Sequence, residues 1–396
     1  MQSHNYLVGL GVSIRAQQVT IPNTARFSDE DLDRLREINP FWGLDCRCTT
    51  LTSDGIVAYL AQADGLQRVR WEGPPVTDDV IAAMGRLQSL TQLHLQGTFR
   101  GTGLWALAQG PVRRSLQRLT LQTDFVEHSD GGIWLPQGLK AEAFGAIGNL
   151  PELRGLRLLS CGVSDERLES LSRLKNLKEL ELDGNPIRGS GLMWLDGLPE
   201  LEVLSLNFCR LADHELTGFP RLPALRVLHL SGNQLGDAGL AIIGVADLPN
   251  LASLYISRTD ITDAGLKALL PLKNLEDLNL TETRVDGTGL PALRSLPIRS
   301  FRLSRTPLDP GTLGSLADFP HLRALDISGT RLTDDDLPVL DSLSHLVYLN
   351  VTRTRVSAEA LDRLRRERAG CRIEQQEDRV FERWLPILPG GHRAAD

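Results

Sequence analysis

The feature that most constrains this 396-residue chain is a repeated phrase, Leu-x-x-Leu-x-Leu, followed after two further residues by Thr, Asn or Cys. Successive copies begin 23 to 26 residues apart, and most steps are 24 residues. A fixed period of this length predicts a solenoid of stacked units. The regular copies begin at Leu153, Leu177, Leu201, Leu225, Leu251, Leu275, Ile298, Leu322 and Leu346.

Each copy predicts one strand and one short helix. In the copy from Leu251, alternation along a strand turns Leu254 and Ile256 to the same inner face. Leucines three residues apart then indicate a short α- or 3₁₀-helix, and Asp263 precedes it where a carboxylate can accept from unpaired N–H groups. Such a unit is too small to bury its own leucines, so the units must stack. The helix leucines of this copy are Leu266, Leu269 and Leu272.

Weaker copies extend the pattern toward the N-terminus. A degenerate first copy starts at Phe41, and thirteen strands are expected between Phe41 and Val351. At roughly 4.8 Å between strands the array is about 60 Å long. The pattern predicts a repeat domain over residues 41–376, with about 13 repeats of about 24 residues. The weaker copies begin at Leu66, Leu90 and Leu116.

The two ends of the chain depart from the repeat. Residues 1–40 are expected to form an N-terminal cap, because the last leucine layer of a solenoid must be shielded from water. This cap should contain a strand from Leu7 to Ile14 and a helix over residues 28–35. Residues 377–396 lack the period and are expected to form a C-terminal tail.

One step of the repeat is 13 residues longer than the basic period, that from Leu116 to Leu153. The surplus places an insertion around residues 123–136. Insertions in solenoids form loops, often on the binding face. Trp134 in this insertion is therefore a candidate hydrophobic anchor for a partner; the alternative is a loop that folds onto its own solenoid.

The segment Asn274–Thr283, followed by Gly289-Leu290, resembles bacterial leucine-rich repeat proteins. Residues 262–266 and 236–240 resemble their recurrent Thr-Asp-x-Gly-Leu corner, in a pattern similar to the ribonuclease-inhibitor-like and F-box-associated subclasses. The resemblance covers about residues 41–373. It implies an α/β solenoid shaped as a horseshoe or arc, with a parallel sheet on the concave face and short α- or 3₁₀-helices on the convex face. For function it implies a protein-binding scaffold.

The concave face of such a fold carries the variable positions between the strand leucines. Aromatic and arginine side chains are enriched at interface hot spots, so they are the candidate partner-binding residues. The alternative is that they are solvated sheet positions without a selected partner. With Trp134, the candidates are Arg70, His94, Arg157, Glu181, Phe208, His229, Tyr255 and Arg302.

Charge and composition argue against nucleic acid and membrane as partners. The formal net charge of −7 gives no general attraction to polyanions. Arginines cluster late in the chain, yet acidic residues are interleaved with them, which is typical of a solvated surface. No apolar run is long enough for a transmembrane helix, and no secretory signal is expected. The five cysteines, an odd number, suit a reducing compartment, so a cytoplasmic location is expected.

The cysteines and the polar residues of the insertion have simpler explanations than a metal or redox site. Cys46-x-Cys48 lacks the further ligands of a zinc site, and Cys46 occupies a strand leucine position, which favours a core role. Cys161 and Cys209 stand where Asn or Thr follows other strands, so an inward-turned side chain explains them. In the insertion, three residues could ligate a metal but need no such role: Asp124, His128 and Asp130.

The sequence contains neither a phosphate-binding Gly-x-x-x-x-Gly-Lys-Ser/Thr loop nor a Gly-x-Ser-x-Gly nucleophile motif. It therefore predicts no enzyme, no cofactor and no metal. The favoured interpretation is a non-catalytic scaffold for a protein partner. Two alternatives stay open: a recognition or sensing subunit whose enzymatic activity lies in another protein, and a structural array without a specific partner.

Overall fold

The computed structural model describes residues 2–374, apart from 39–40, 49, 64, 74–75, 124, 128–133, 137, 217, 341–342, 344 and 369. The main feature is an open sheet of 16 strands that lie in chain order. The first two strands pair antiparallel, and every later neighbour is parallel. The predicted α/β leucine-rich repeat arc with a parallel sheet is confirmed.

Thirteen strands of this sheet lie between Phe41 and Val351, one in each predicted copy. Two further strands form a separate antiparallel hairpin within the insertion. The strands are β1 Ser13–Arg15, β2 Gln18–Ile21, β3 Gly43–Cys46, β4 Arg68–Glu72, β5 Gln92–Gly97, β6 Arg118–Thr123, β7 Phe125–Glu127, β8 Trp134–Pro136, β9 Gly155–Leu159, β10 Glu179–Glu181, β11 Val203–Ser205, β12 Val227–His229, β13 Ser253–Tyr255, β14 Asp277–Asn279, β15 Ser300–Arg302, β16 Ala324–Asp326, β17 Tyr348–Asn350 and β18 Arg372–Glu374.

Short helices return the chain from one strand to the next. The α-helices are α1 Gln2–Gly9, α2 Asp29–Glu37, α3 Ser53–Leu60, α4 Asp78–Met84, α5 Leu104–Gln109, α6 Ala141–Gly148, α7 Leu168–Leu171, α8 Asp237–Gly244, α9 Asp263–Leu266, α10 Leu337–Leu340 and α11 Ala358–Glu367. The 3₁₀ segments are Pro111–Arg114, Asp165–Arg167, Leu192–Gly197, Asp213–Glu215, Lys267–Leu269, Leu290–Ser295, Pro310–Asp318 and Asp334–Asp336. Leucines spaced three apart suit the three-residue turn of the 3₁₀ form.

The leucines of the phrase form one continuous core that runs from Leu7 to Leu364. In the example copy, Leu251, Leu254 and Ile256 are fully buried, as the alternation predicts. Each layer of leucines is covered by the layers of the neighbouring units. Truncating one such leucine to alanine is expected to cost about 2–5 kcal/mol, because it removes apolar contacts and leaves a cavity.

The N-terminal 40 residues differ from the expectation in one respect. The strand predicted from Leu7 to Ile14 is wrong: residues 2–9 form helix α1, and only residues 13–15 form a strand. Leu7 alone of the helix is fully buried, and the Tyr6 ring lies 4.1 Å from the guanidinium carbon of Arg34 on α2. A helix allows both contacts, whereas a strand would place these neighbours on opposite faces. The predicted second helix is confirmed as α2.

The corner before each helix couples one unit to the next. Asp263 was expected to cap its own helix, but Thr262 does so by accepting from the Ala264 N–H at 3.3 Å. The Asp263 carboxylate instead accepts from the next unit, at 2.6 Å from the nitrogen of Asp286 and 2.7 Å from that of Gly289. Stacking brings those unpaired N–H groups within its reach. Carboxylates that reach the next unit similarly are Asp29, Asp78, Asp165, Asp213, Asp237 and Asp334.

A second ladder follows the strands inside the core. Asn185 donates to the carbonyl of Leu158 in the preceding unit at 2.6 Å and to that of Leu182 in its own unit at 2.7 Å. Asn233 bonds in the same way across its unit boundary. In later units a threonine takes this position, and its hydroxyl bonds only within its own unit. These threonines are Thr259, Thr283, Thr306, Thr330 and Thr354.

Close packing at the corner explains why a glycine, Gly289, stands just before the helix leucine Leu290. A Cβ atom on Gly289 would lie 2.4 Å from the Asp263 carbonyl oxygen, which is backbone and cannot move aside. We predict that Gly289→Ala lowers the free energy of unfolding by about 1–3 kcal/mol through overpacking. Urea-induced unfolding followed by circular dichroism measures this change.

Gly314 supplies the matched control, because a Cβ there meets no atom within 4 Å. Gly314→Ala should be neutral or stabilising by up to about 1 kcal/mol, since alanine restricts the unfolded chain. Equal losses of stability in the two variants would contradict the close-packing explanation.

Candidate interaction surface on the concave face

The parallel register aligns one concave side chain from each strand into a continuous line, which we call the central row. It contains seven of the nine residues predicted from the sequence; Phe208 and Trp134 lie elsewhere. From β4 to β17 the row runs Arg70, His94, Thr120, Arg157, Glu181, Ser205, His229, Tyr255, Asn279, Arg302, Asp326 and Asn350.

The N-terminal end of the row is an ionic cluster around Glu72. Its Oε1 atom lies 2.5 Å from Nε of Arg70 and 3.2 Å from Nε2 of His94. Burial, together with the charge of Arg70, lowers the pKa of His94 to about 4. The imidazole is therefore neutral at pH 7, and the charges of this cluster are those of Glu72 and the nearby arginines.

Next along the sheet comes a set of three carboxylates on and just after β10, Glu179, Glu181 and Asp183, which we call the acidic band. Arg118 on β6 forms a bidentate ion pair with Glu179, with distances of 2.7 and 3.1 Å. It reaches across β9 because Gly155 has no side chain in the way. The sequence pattern does not reveal this pairing across two strands.

The other two carboxylates of the band have different partners. Arg157 lies 2.9 Å from Glu181, and burial raises the pKa of Glu181 in spite of that neighbouring charge. Asp183 accepts from the Ser205 hydroxyl at 2.6 Å and from the Asn207 backbone N–H at 2.9 Å. One end of the band is thus tied to arginines and the other to β11.

The middle of the row is a stack of planar groups, which we call the central stack: His229, Tyr255, Arg302 and the supporting Asp277. The rings of His229 and Tyr255 are nearly parallel, at 8°, with centroids 4.4 Å apart. The Arg302 guanidinium carbon lies 5.2 Å from the Tyr255 centroid. Tyr255 donates to Asp277 at 2.9 Å, and burial together with this carboxylate raises the pKa of Tyr255 to about 12.

Arg302 is 9% exposed, so it supports the face of the Tyr255 ring more than it presents charge to solvent. Its terminal nitrogen lies 3.7 Å from the same Asp277 oxygen that accepts from Tyr255. The sequence placed Arg302 on the correct face. It could not reveal this burial, because the burial depends on the large neighbour two strands away.

Phe208 lies outside the row, three residues after the end of β11, and is 57% exposed. Its backbone is left-handed, with φ of 51°. A Cβ on Gly232 would meet the Phe208 ring at 2.5 Å, so the ring lies against that glycine. The equivalent residue of each regular unit is also left-handed: Ser160, Gly184, Gly232, Arg258, Glu282, Arg305, Gly329 and Arg353.

Acidic neighbours compensate several of the late arginines on this side of the molecule. Glu282 bonds to both Arg258 and Arg305, each at 2.8 Å. Arg284 lies 2.7 Å from Asp260. This pairing agrees with the interleaved signs of the sequence.

The insertion contains hairpin β7–β8, in which Trp134 pairs with Glu127. The Trp134 side chain lies outside what the structure describes, as do the three metal candidates Asp124, His128 and Asp130. Across the described residues, no group of three or more His, Cys, Asp or Glu side chains is arranged to hold a metal ion. None of the described helices has both the length and the hydropathy needed to cross a bilayer.

The core interpretation of the cysteines is confirmed. Cys46 and Cys48 are fully buried. The Cys161 thiol lies 3.2 Å from the carbonyl oxygen of Leu121, and that of Cys209 lies 3.4 Å from the Leu182 oxygen. Both turn inward to the backbone of the preceding unit, as their position after the strand predicts.

Two half-buried histidines should make the fold sensitive to acid. The pKa values of His94 and His229 are both about 4 in the folded chain, against 6.5 when unperturbed. Below pH 6.5 the unfolded chain binds protons that the folded chain does not, so the free energy of unfolding falls as pH approaches 4. Between pH 7 and pH 4.5, the free energy of unfolding should fall by about 2 kcal/mol less in His94→Gln, and in His229→Gln, than in the wild type.

Urea unfolding of the wild type and each variant at pH 7 and pH 4.5 tests this expectation. His214→Gln is the control, because the His214 side chain is exposed. If all four proteins lose the same stability between these pH values, neither histidine is responsible.

Comparisons with known proteins find similarity in the repeats and in the fold. A Leucine rich repeat family model matches residues 175–235, and a second Leucine Rich repeat model matches residues 247–270 and 320–337. No curated protein sequence matches the chain.

Among solved structures, similar chains occur in the mouse RP105/MD-1 complex and in a TLR13–ssRNA13 complex, each with 16% identity and a TM-score of 0.53. The matches cover 89% and 87% of this chain, and 69% and 52% of those chains. An LRR protein from Leptospira interrogans matches with 19% identity and a TM-score of 0.49, over 88% of this chain and 87% of that one. The repeat geometry and the family matches together show that the chain contains leucine-rich repeats stacked as a solenoid.

Proposed function

We propose that this protein is a non-catalytic scaffold that binds a protein partner through the concave face of its sheet. The observation that carries the proposal is the central stack. Tyr255 is held between the His229 ring and the Arg302 guanidinium while its hydroxyl bonds to Asp277. A surface aromatic fixed in this way loses little conformational freedom on binding, which favours affinity.

The proposed contact surface contains all nine residues predicted from the sequence. Tyrosine and arginine are enriched among hot-spot residues, and the exposed Phe208 adds apolar area at the end of β11. We include strands β7 and β8 with Trp134, because β7 begins two residues after the end of β6, whose Thr120 belongs to the central row. The predicted residues that lie in the central row are Arg70, His94, Arg157, Glu181, His229, Tyr255 and Arg302.

The non-catalytic part of the proposal is supported by the state of the buried thiols. Burial raises the pKa of Cys46, Cys161 and Cys209 to about 12 each. A thiol with such a pKa is not a thiolate nucleophile at neutral pH. All five cysteines are free thiols, which also supports our proposal of a cytoplasmic, reducing location.

A protein partner is favoured over nucleic acid because carboxylates lie beside many arginines of the concave side. Arg118, Arg157 and Arg302 each have an acidic neighbour within 4 Å. Nucleic-acid binding would instead show an affinity that falls steeply with salt concentration.

A second candidate is a recognition or sensing subunit of a larger complex, with the enzymatic activity in another protein. Exposed apolar residues on the convex side favour this arrangement, because they offer a second contact surface. They include Met193, Trp194 and Val245. In that case two separate surfaces would each retain a partner.

Affinity purification of the full chain with mass spectrometry tests the proposal, with affinities then measured for the recovered partner. We predict that the double variant Arg157→Ala, Tyr255→Ala weakens binding at least about tenfold, the loss expected for one hot-spot residue. Glu169→Ala with Lys267→Ala on exposed helix positions is the matched control. Unchanged affinity in the concave variant would remove this face as the binding surface.

Phe208 allows stability and binding to be separated. Because its left-handed backbone disfavours a side chain, we predict that Phe208→Gly raises the free energy of unfolding by about 1 kcal/mol while it weakens partner binding. Ser160→Gly, at the equivalent position of an earlier unit, should gain similar stability and keep its affinity. Partner affinity that survives Phe208→Gly would exclude Phe208 from the interface.

A further inference from the structure

Strand β11 carries shorter side chains on the concave face than the acidic band on β10 and His229 on β12, and we call this part of the face the β11 trough. Its floor is made of short side chains, and Ser205 at its centre is 5% exposed. Neighbouring strands are about 4.8 Å apart, so the walls on β10 and β12 are about 10 Å apart at the backbone. The floor residues are Val203, Ser205 and Asn207.

The β10 wall is the acidic band, and its charge is only partly compensated. Three carboxylates face two guanidiniums, those of Arg118 and Arg157, which leaves one net negative charge. Burial raises the pKa of Glu181 even beside Arg157, so this carboxylate would gain from a further cation. A partner anion would be repelled from this wall.

The β12 wall is the imidazole of His229. One face of the ring is covered by Tyr255 from β13, and the opposite face looks along the central row toward Ser205. Among the described residues, none forms a hydrogen bond to the ring nitrogens of His229. Burial keeps the ring neutral at pH 7, so it does not repel a cation.

We propose that the β11 trough receives an arginine side chain of the protein partner, whose guanidinium stacks on the open face of His229 and donates hydrogen bonds to the acidic band. This inference rests on the proposed function. A guanidinium is planar and weakly hydrated, and its fork matches carboxylates, whereas the compact lysine ammonium is strongly hydrated and does not stack in this way. The exposed Phe208 ring can cover the methylene stem of the arginine.

The probe is a short peptide, acetyl-Ala-Arg-Ala-amide, titrated into the full chain with its eight histidines isotope-labelled for NMR. The His229 ring signal should shift in a saturable way. The citrulline peptide keeps the shape but lacks the charge, and should bind at least about tenfold more weakly, since a charge-assisted hydrogen bond is lost. The lysine peptide should also bind more weakly. Equal affinity for the arginine and citrulline peptides would overturn the proposal.

Two variants locate the binding. Ser205→Leu fills the trough and should abolish the His229 shift, whereas Ala324→Leu on β16 adds a similar volume to the same face and should not. Glu181→Gln keeps the shape of the wall and should weaken the arginine peptide at least about fivefold, which covers the case in which Ser205→Leu fails to fold. An unchanged titration in Glu181→Gln or in folded Ser205→Leu would refute the assignment.

The outcome is separable from that of the proposed function, because the titration needs no natural partner. If the peptide does not bind while partner affinity still depends on Arg157 and Tyr255, the scaffold function stands and the arginine assignment fails. If the peptide binds and no protein partner is recovered, the trough is a real arginine site and the scaffold function fails.

Discussion

The structure depends on polar contacts that cross from one unit to the next. A single strand and helix cannot bury their own leucines, and the N–H groups at the start of the helix lack hydrogen-bond acceptors. The Asp263 carboxylate supplies acceptors to the following unit, and Gly289 lets the two backbones approach closely enough for those bonds. Hydrophobic stacking and hydrogen bonding therefore have the same requirement, a neighbour in register.

That register also creates the candidate site. Because every strand pairs with the same offset, one position per unit becomes a line across the concave face, and side chains far apart in sequence become neighbours. Arg118 reaches Glu179 across two strands, and Arg302 reaches back to Tyr255. The members of the site support one another, and Tyr255 is contacted on both faces of its ring and at its hydroxyl.

The leucine phrase was enough to predict the sheet, the short helices and the members of the central row, because those follow from period and alternation alone. It could not predict that Asp263 serves the next unit, since this depends on the distance between stacked corners. Nor could it predict the burial of Arg302 or the left-handed backbone of Phe208, which neighbouring units impose. The helix at residues 2–9 was missed because its apolar residues fit a strand equally well, and only the packing of Leu7 and Tyr6 decides between them.

The side-chain hydrogen bonds that follow the strands inside the core change along the chain, from bonds between units to bonds within one unit. Asn185 and Asn233 link adjacent units through side-chain bonds, whereas Thr259 and the threonines after it bond only within their own units. In a linear array, each boundary contributes its own share of cooperativity. The later boundaries therefore lack this particular cross-link, and an opening that starts near the C-terminal end meets the first asparagine link at Asn233. The solenoid would then behave as a stiff block joined to a more compliant one, with the central stack close to the junction.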